Sequence, residues 1–212
     1  VTKTLIVDSS SHRTELCDLA AKYKADKGPY SVESVNMHHR KGYTAVYEMF
    51  FAPLRNKRIN FLELGLQNGD SIRMFKDYFH DIEYYGIDFN KDAIKRCWDL
   101  NLSGTHYYDT DVSDSEALAT ALLHMDVEFD IILDDSTHIV KDQLGIIREC
   151  PKHIKSGGLL IIEDLERGWA EDIYAPVQGV IAENFVFNTF VVCEHSNRRC
   201  WDNDKIWLGV KR

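Results

Sequence analysis

No apolar run in this chain approaches the roughly 20 residues that a membrane-spanning helix needs. The strongest, Gly157-Gly158-Leu159-Leu160-Ile161-Ile162, has the length of a buried strand. Basic charge is also scarce, because 25 Lys and Arg face 34 Asp and Glu and leave a net charge of −9. Phosphate backbones are gripped by concentrated Lys and Arg, so this deficit argues against a nucleic-acid partner. Arg198-Arg199 is too short a basic run to reverse it. Cysteine pairs are missing too. Cys17, Cys97, Cys150, Cys193 and Cys200 are odd in number and scattered, with no CxxC to signal zinc or redox chemistry, and the expected compartment is a reducing cytoplasm. Residues 1–7 lack the charged and then apolar pattern of a secretory signal, and the absent initiator Met suggests a domain cut from a longer chain.

What is present is an ordinary folding composition, 44% hydrophobic and 28% charged over 212 residues, with four Pro and no repeat. Leu16, Leu19, Ala20 and Tyr23 have helical spacing, and the serines before them predict an N-terminal cap. A polar stretch over residues 24–41, broken at Gly28-Pro29, predicts a loop or lid, and a second helix is expected near residues 43–54. Strands are expected at residues 59–64, 83–88, 105–108, 129–133, 158–163, 189–194 and 205–210, the first six separated by helices. That alternation predicts a mostly parallel sheet with helices on both faces, since parallel neighbours need crossover connections. The last two strands have no helix between them and should pair antiparallel. One domain over residues 1–212 is expected, residues 1–57 forming a helical extension and lid and residues 58–212 a catalytic core.

The first strong strand runs into Leu62-Glu63-Leu64-Gly65-Leu66-Gln67-Asn68-Gly69 and then a helix. Glycines there let the backbone approach a ligand at the carboxyl end of the sheet. The spacing is GxxxG rather than the GxGxxG of nicotinamide dehydrogenases, and no Lys follows the second Gly as a P-loop requires. The next strand ends in Asp88, an acceptor able to grip two ribose hydroxyls. The third ends near Asp111, able to accept from an adenine amino group, although either acid could instead cap a helix.

These residues resemble class I S-adenosylmethionine-dependent methyltransferases, whose pattern is ExGxxxG, an acid ending strand two and an acid after strand three. The resemblance implies a Rossmann-like seven-stranded sheet with the last strand antiparallel. It also implies a cofactor pocket in which Glu63, Gly65 and Gly69 shape the methionine end, Asp88 binds the ribose and Asp111 lies near the adenine.

Strand four ends in Leu133-Asp134-Asp135-Ser136-Thr137-His138 and strand five in Ile162-Glu163-Asp164-Leu165. In a parallel sheet these ends bring Asp134 or Asp135 close to Glu163 and Asp164. Clustered carboxylates suit Mg²⁺, Mn²⁺ or Ca²⁺, of which Mg²⁺ is the expected ion, whereas zinc more often takes Cys or several His. The competing reading has Asp135 and Ser136 capping the following helix and Glu163 and Asp164 in a solvated loop. His138 beside the acids is a candidate base for a metal-polarised hydroxyl, because imidazole titrates near neutrality.

The DDxxH and IEDL pair resembles the metal-dependent macrolide and sugar O-methyltransferases of antibiotic biosynthesis, and more distantly the catechol O-methyltransferases. That resemblance implies Asp135, Glu163 and Asp164 as metal ligands, His138 as general base and Asp134 within the cofactor pocket. The implied acceptor is a hydroxyl on a sugar or glycosylated natural product, with no membrane or nucleic-acid partner and homo-oligomerisation left open. Residues 24–28, Lys-Ala-Asp-Lys-Gly, and residues 43–48, Tyr-Thr-Ala-Val-Tyr-Glu, are similar to that group as well. Ser136 stands where those enzymes commonly have Gly, and the extra N-terminal domain they often carry is not expected here. An N-methyltransferase, a metal-independent methyltransferase and a non-catalytic cofactor-binding module are the alternatives.

Overall fold

The computed structural model describes residues 4–31 and 39–212. Eight strands form one mixed sheet: β1 (Thr4–Asp8), β2 (Arg58–Leu64), β3 (Asp81–Asp88), β4 (Thr105–Asp109), β5 (Phe129–Asp134), β6 (Ile154–Leu165), β7 (Phe185–Glu194) and β8 (Lys205–Lys211). Their order is β1-β7-β8-β6-β5-β2-β3-β4. All neighbours run parallel except β8, which lies antiparallel between β6 and β7. Seven of these strands are the ones expected. The eighth, β1, corrects the reading of the N-terminal segment as purely helical: it pairs parallel with β7, Thr4 opposite Phe190 and Asp8 opposite Glu194. Its Leu-Ile-Val run was legible only as the absence of a signal peptide, because five residues show no decisive period.

The helices are α1 (Glu15–Tyr23), α2 (Tyr43–Phe51), α3 (Asp70–Tyr78), α4 (Lys91–Asp99), α5 (Ser115–Met125), α6 (Val140–Glu149) and α7 (Gln178–Asn184). Along β2, Ile59 and Phe61 feed one core while Leu62 and Leu64 feed the other, as a period of two demands of a strand covered on both faces. The first core gathers α1, α2 and α3 around an aromatic stack in which Phe61 lies 5.6 Å from Tyr84 and 4.6 Å from Phe75. The second takes Leu118 and Leu122 of α5, Ile146 and Ile147 of α6 and Ile181 of α7.

The cap of α1 also differs from expectation. Thr14, not a serine, accepts from the Cys17 amide at 3.3 Å, while Ser9 donates to the Glu194 carbonyl. Of the loop or lid expected over residues 24–41, residues 32–38 lie outside the described residues. The part before them folds inward, with Ala25, Lys27, Gly28 and Ser31 buried. All five cysteines are free, and among the described residues no helix is long and apolar enough to cross a membrane.

Candidate active site

From β2 the chain steps to β3 and β4 on one side and then returns to place β5 on the other. Ligands gather at the carboxyl ends of strands flanking such a switch. A cavity of about 930 Å³ opens there, lined among others by Glu63, Gly65, Asp88, Asp135, His138 and Asp164.

The turn after β2 is shaped by backbone crowding. Gly65 has φ +89°, and a Cβ on it would lie 2.2 Å from the Asp135 carbonyl, so only glycine lets the ends of β2 and β5 close together. Gly69 is the left-handed residue that starts α3 and packs against Leu100 and Cys97 rather than lining the cavity. Asp88 knits the turn to the end of β3: Oδ2 accepts from the amides of Leu66 at 2.9 Å and Gln67 at 3.4 Å, and Oδ1 from that of Asn90 at 2.8 Å. A carboxylate offers about four acceptor sites, which leaves capacity toward the cavity.

The acidic centre lies across the ends of β5 and β6. A register shift of β6 against β8 between Ile162 and Leu165 puts Glu163 and Asp164 in an irregular stretch, and bulges of this kind re-aim side chains. Both acids are buried, and Asp164 has φ +61°. His138 also has a left-handed backbone, φ +58°. Two non-glycine residues in this sparsely populated region, facing one another, mark a site where strain is tolerated. His138 Nε2 lies 3.9 Å from Asp135 Oδ1 and 3.6 Å from Asp164 Oδ2. One ligand atom from each of Asp135, His138 and Asp164 falls within 4.8 Å of the others; the two carboxylates suit a hard divalent cation, and the imidazole stands beside them. The capping alternative is absent, since α6 begins at Val140 with no side-chain cap and Glu163 and Asp164 belong to β6.

Sequence reasoning missed the cations that enter this centre. Lys27, 2% exposed, donates to Glu163 Oε2 at 2.7 Å and to Asp135 Oδ2, and lies 3.6 Å from Glu63 Oε1. Lys41 donates to Asp164 Oδ1. Burial works against the Lys27 ammonium, but Asp135, Glu163 and Glu63 hold its pKa well above the ordinary lysine value. Two phenols complete the floor: Tyr43 donates to Asp164 Oδ1 at 2.8 Å and Tyr47 to Glu163 Oε1. Burial pushes the Glu163 carboxyl well up, and Lys27 opposes that. The available signal was the spacing of Tyr43 and Tyr47, four apart on one face of α2.

The other expected residues separate. Glu63 is buried at the cavity floor, where Oε2 accepts from Ser71 Oγ at 2.8 Å and from the Tyr84 hydroxyl, while Oε1 receives no hydrogen bond. Asp134 lies below the cavity lining, its Oδ1 accepting from Ser136 Oγ at 2.5 Å, and burial raises its pKa to about 6. Asp111 faces a shallow acidic depression on the far side of its strand end, where it accepts from the Ser113 amide at 2.9 Å; its neighbours Thr110 and Val112 line the cavity instead. At the mouth stand two exposed aromatics, Phe89 and Trp201, the latter 83% exposed and meeting His39 edge-on at 4.4 Å between ring centroids.

Residues 55–207 match the family model described as methyltransferase domain. Over 169 residues the chain is 27% identical to 8-demethyl-8-(2-methoxy-alpha-L-rhamnosyl)-tetracenomycin-C 3'-O-methyltransferase of Streptomyces olivaceus, covering 76% of this chain and 39% of that one. Over 173 residues it is 27% identical to demethylmacrocin O-methyltransferase of Streptomyces fradiae, covering 77% and 40%. The chain thus spans about two-fifths of the length of these curated relatives. Among solved structures, MycE from the mycinamycin biosynthetic pathway, in complex with Mg, SAH and mycinamycin VI, superposes with a TM-score of 0.68 at 19% identity, covering 95% of this chain and 55% of that one. The N-methyltransferase NodS of Bradyrhizobium japonicum gives 0.52 at 18% identity, covering 80% and 92%. Likenesses at this identity establish the fold and leave the atom that is methylated open.

Proposed function

Because the chain belongs to the methyltransferase domain family, we propose that it transfers a methyl group from S-adenosylmethionine to a hydroxyl of a sugar-bearing small molecule, with a divalent cation at the acidic centre. The observation that carries this reading is the convergence of Asp135, His138 and Asp164 on the cavity that the Gly65 turn and Asp88 also line. The curated relatives whose names specify O-methylation of glycosylated products support the acceptor class.

In this reading residues 58–212 form the catalytic core and the residues before them its extension. Glu63 and Asp88 hold the cofactor, Glu63 through its unfilled Oε1 and Asp88 through its remaining acceptor capacity. Asp135 and Asp164 hold the cation, and Glu163 joins them where Lys27 gives way, because both Glu163 oxygens are otherwise engaged by Lys27 and Tyr47. The cofactor supplies an electrophilic methyl, and Mg²⁺ supplies acidification of the hydroxyl bound beside it. His138 takes the hydroxyl proton and later releases it to solvent through its exposed edge. The cofactor held by Glu63 and Asp88 would give its methyl group to the deprotonated oxygen and would leave as S-adenosylhomocysteine. Holding the two reactants in line supplies much of the rate, so the protein needs no covalent intermediate.

The test is transfer of label from S-adenosylmethionine to a panel of rhamnosylated and other glycosylated aromatic and macrolide acceptors, with and without a chelator. Labelled methyl ethers that vanish on chelation and return with Mg²⁺ are expected. Transfer to amines alone, or transfer indifferent to thorough chelation, overturns the reading.

A further inference from the structure

Each aspartate of the acidic centre is divided between two tasks. Asp135 gives Oδ2 to Lys27 and turns Oδ1 toward His138; Asp164 gives Oδ1 to Lys41 and Tyr43 and turns Oδ2 toward His138 and the Asn203 amide, 3.1 Å away. The two ammonium groups come from the segment between α1 and α2, reach the centre across more than 100 positions of sequence and are 2% and 3% exposed as side chains. Lysine is almost never buried to this degree without a specific partner. Glu63, Asp135, Glu163 and Asp164 are therefore met by two cations already in place before any metal ion is considered.

Resting on the proposed metal site, we infer that Lys27 and Lys41 set both the affinity and the selectivity of that site by occupying one oxygen of each ligand carboxylate. The affinity follows from electrostatics. An ammonium a few ångströms from a bound dication repels it and competes for the same oxygens, and the low local dielectric strengthens both effects. The selectivity follows from denticity. Ca²⁺ takes six to eight oxygens and accepts carboxylates edge-on, whereas Mg²⁺ takes six at short distance and keeps several waters. With one oxygen of each aspartate held by a lysine, the centre offers single oxygens, which suits the smaller ion and leaves coordination positions open for an acceptor hydroxyl. Lys27 and Lys41 are positioning residues in this scheme and need not touch the acceptor.

The experiment is titration of the intact protein with Mn²⁺ followed by electron paramagnetic resonance of the free ion, with Ca²⁺ as competitor, on the parent, Lys27→Met, Lys41→Gln and Lys27→Arg. The inference expects Mn²⁺ to bind at least tenfold more tightly to Lys27→Met and to Lys41→Gln. It expects Ca²⁺ to gain more than Mn²⁺ in both, and Lys27→Arg to stay near the parent. Loss of Lys27 leaves buried acids without a cation, so that variant's folding is followed by circular dichroism with and without Mn²⁺. A variant that folds only with Mn²⁺ also supports the inference, since the ion then replaces the ammonium. Unchanged or weaker Mn²⁺ binding in Lys41→Gln overturns the inference while leaving the metal site standing. No Mn²⁺ binding by the parent or any variant overturns both.

Discussion

The Arg167 guanidinium grips Asp204 through two parallel bonds, Nη2 to Oδ2 at 2.7 Å and Nε to Oδ1 at 2.5 Å, and Asp204 is fully buried. The fork ties the stretch after β6 to the start of β8, and Arg167 reaches Glu194 Oε2 at 2.7 Å as well. Between Glu194 and Asp204 lies the segment that carries Trp201 and Asn203 to the cavity. Removing Arg167 leaves Asp204 buried with, among the described residues, Arg198 Nε as its remaining ion-pair partner, at 3.5 Å. Breaking a buried pair from one side costs about 3–5 kcal/mol. Arg167→Ala should therefore lower Tm by roughly 6–20 °C at about 2–4 °C per kcal/mol for a chain of this size. A melt within 2 °C of the parent removes the lock from the account.

Glu194 supplies a pH signature for the same network. Its carboxyl lies below the ordinary glutamate value, first through the Arg167 hydrogen bond, with burial opposing. A depressed folded pKa contributes stability that is complete above the unfolded value, near 4.3 for glutamate, and is lost as pH falls through the folded value. The destabilisation caused by Glu194→Gln should accordingly be full at pH 7 and shrink toward zero below about pH 4. Urea melts at a series of pH values check this, and a deficit independent of pH contradicts it.

Asp88 is expected to matter to the cofactor beyond its work in the turn. Its carboxylate oxygens accept from the Leu66 and Asn90 amides, so Asp88→Ala loosens the turn and removes the proposed ribose contact together. Titration calorimetry with S-adenosylhomocysteine should show a loss of about 2–4 kcal/mol, the worth of charge-assisted bonds to a bound ligand. Binding as tight as the parent's would exclude Asp88 from the cofactor site.

How much of this was legible in the sequence depends on the distance over which the signal acts. The strands of the core are short apolar runs between helical segments, so periodicity and connection length located all seven of them. Glu63, Gly65, Asp88, Asp135, His138 and Asp164 were legible because each is fixed by its place at a strand end, and strand ends converge at the switch point. Lys27 was not, because its placement depends on a segment folding back across 108 positions to Asp135. A charged residue in a polar loop carries no sequence sign of burial. Asp111 shows the converse: a strand-end acid in the right order, turned outward because the Ser113 amide satisfies it locally.

Trp201 offers a check on the acceptor side of the cavity. A large aromatic at 83% exposure beside a cavity presents a flat apolar face that a sugar or ring can cover. Trp201→Ala should raise the acceptor KM by about tenfold, on the order of one aromatic contact, and leave S-adenosylhomocysteine affinity unchanged. Trp201→Phe should recover most of the loss. A fall in kcat at unchanged KM would instead assign Trp201 to closure over the reacting groups.

His138 carries the most demanding prediction. An unactivated sugar hydroxyl is too weak an acid for imidazole alone, so proton transfer to His138 requires the acids and their cation to share the work. His138→Ala should cut the single-turnover rate by roughly 10²–10⁴, the usual contribution of a general base, and leave cofactor affinity within twofold. Its left-handed backbone creates a rival explanation, because a β-carbon at φ +58° is strained and a substitution could act by relaxing the loop. Asparagine tolerates that conformation better than most residues and cannot accept a proton at neutral pH. His138→Asn should thus keep the parent's melting temperature and metal affinity while losing the same rate as His138→Ala. If His138→Asn turns over like the parent while chemistry limits the rate, the imidazole is not the base. If both variants lose metal binding in proportion to rate, His138 belongs among the ligands with Asp135 and Asp164.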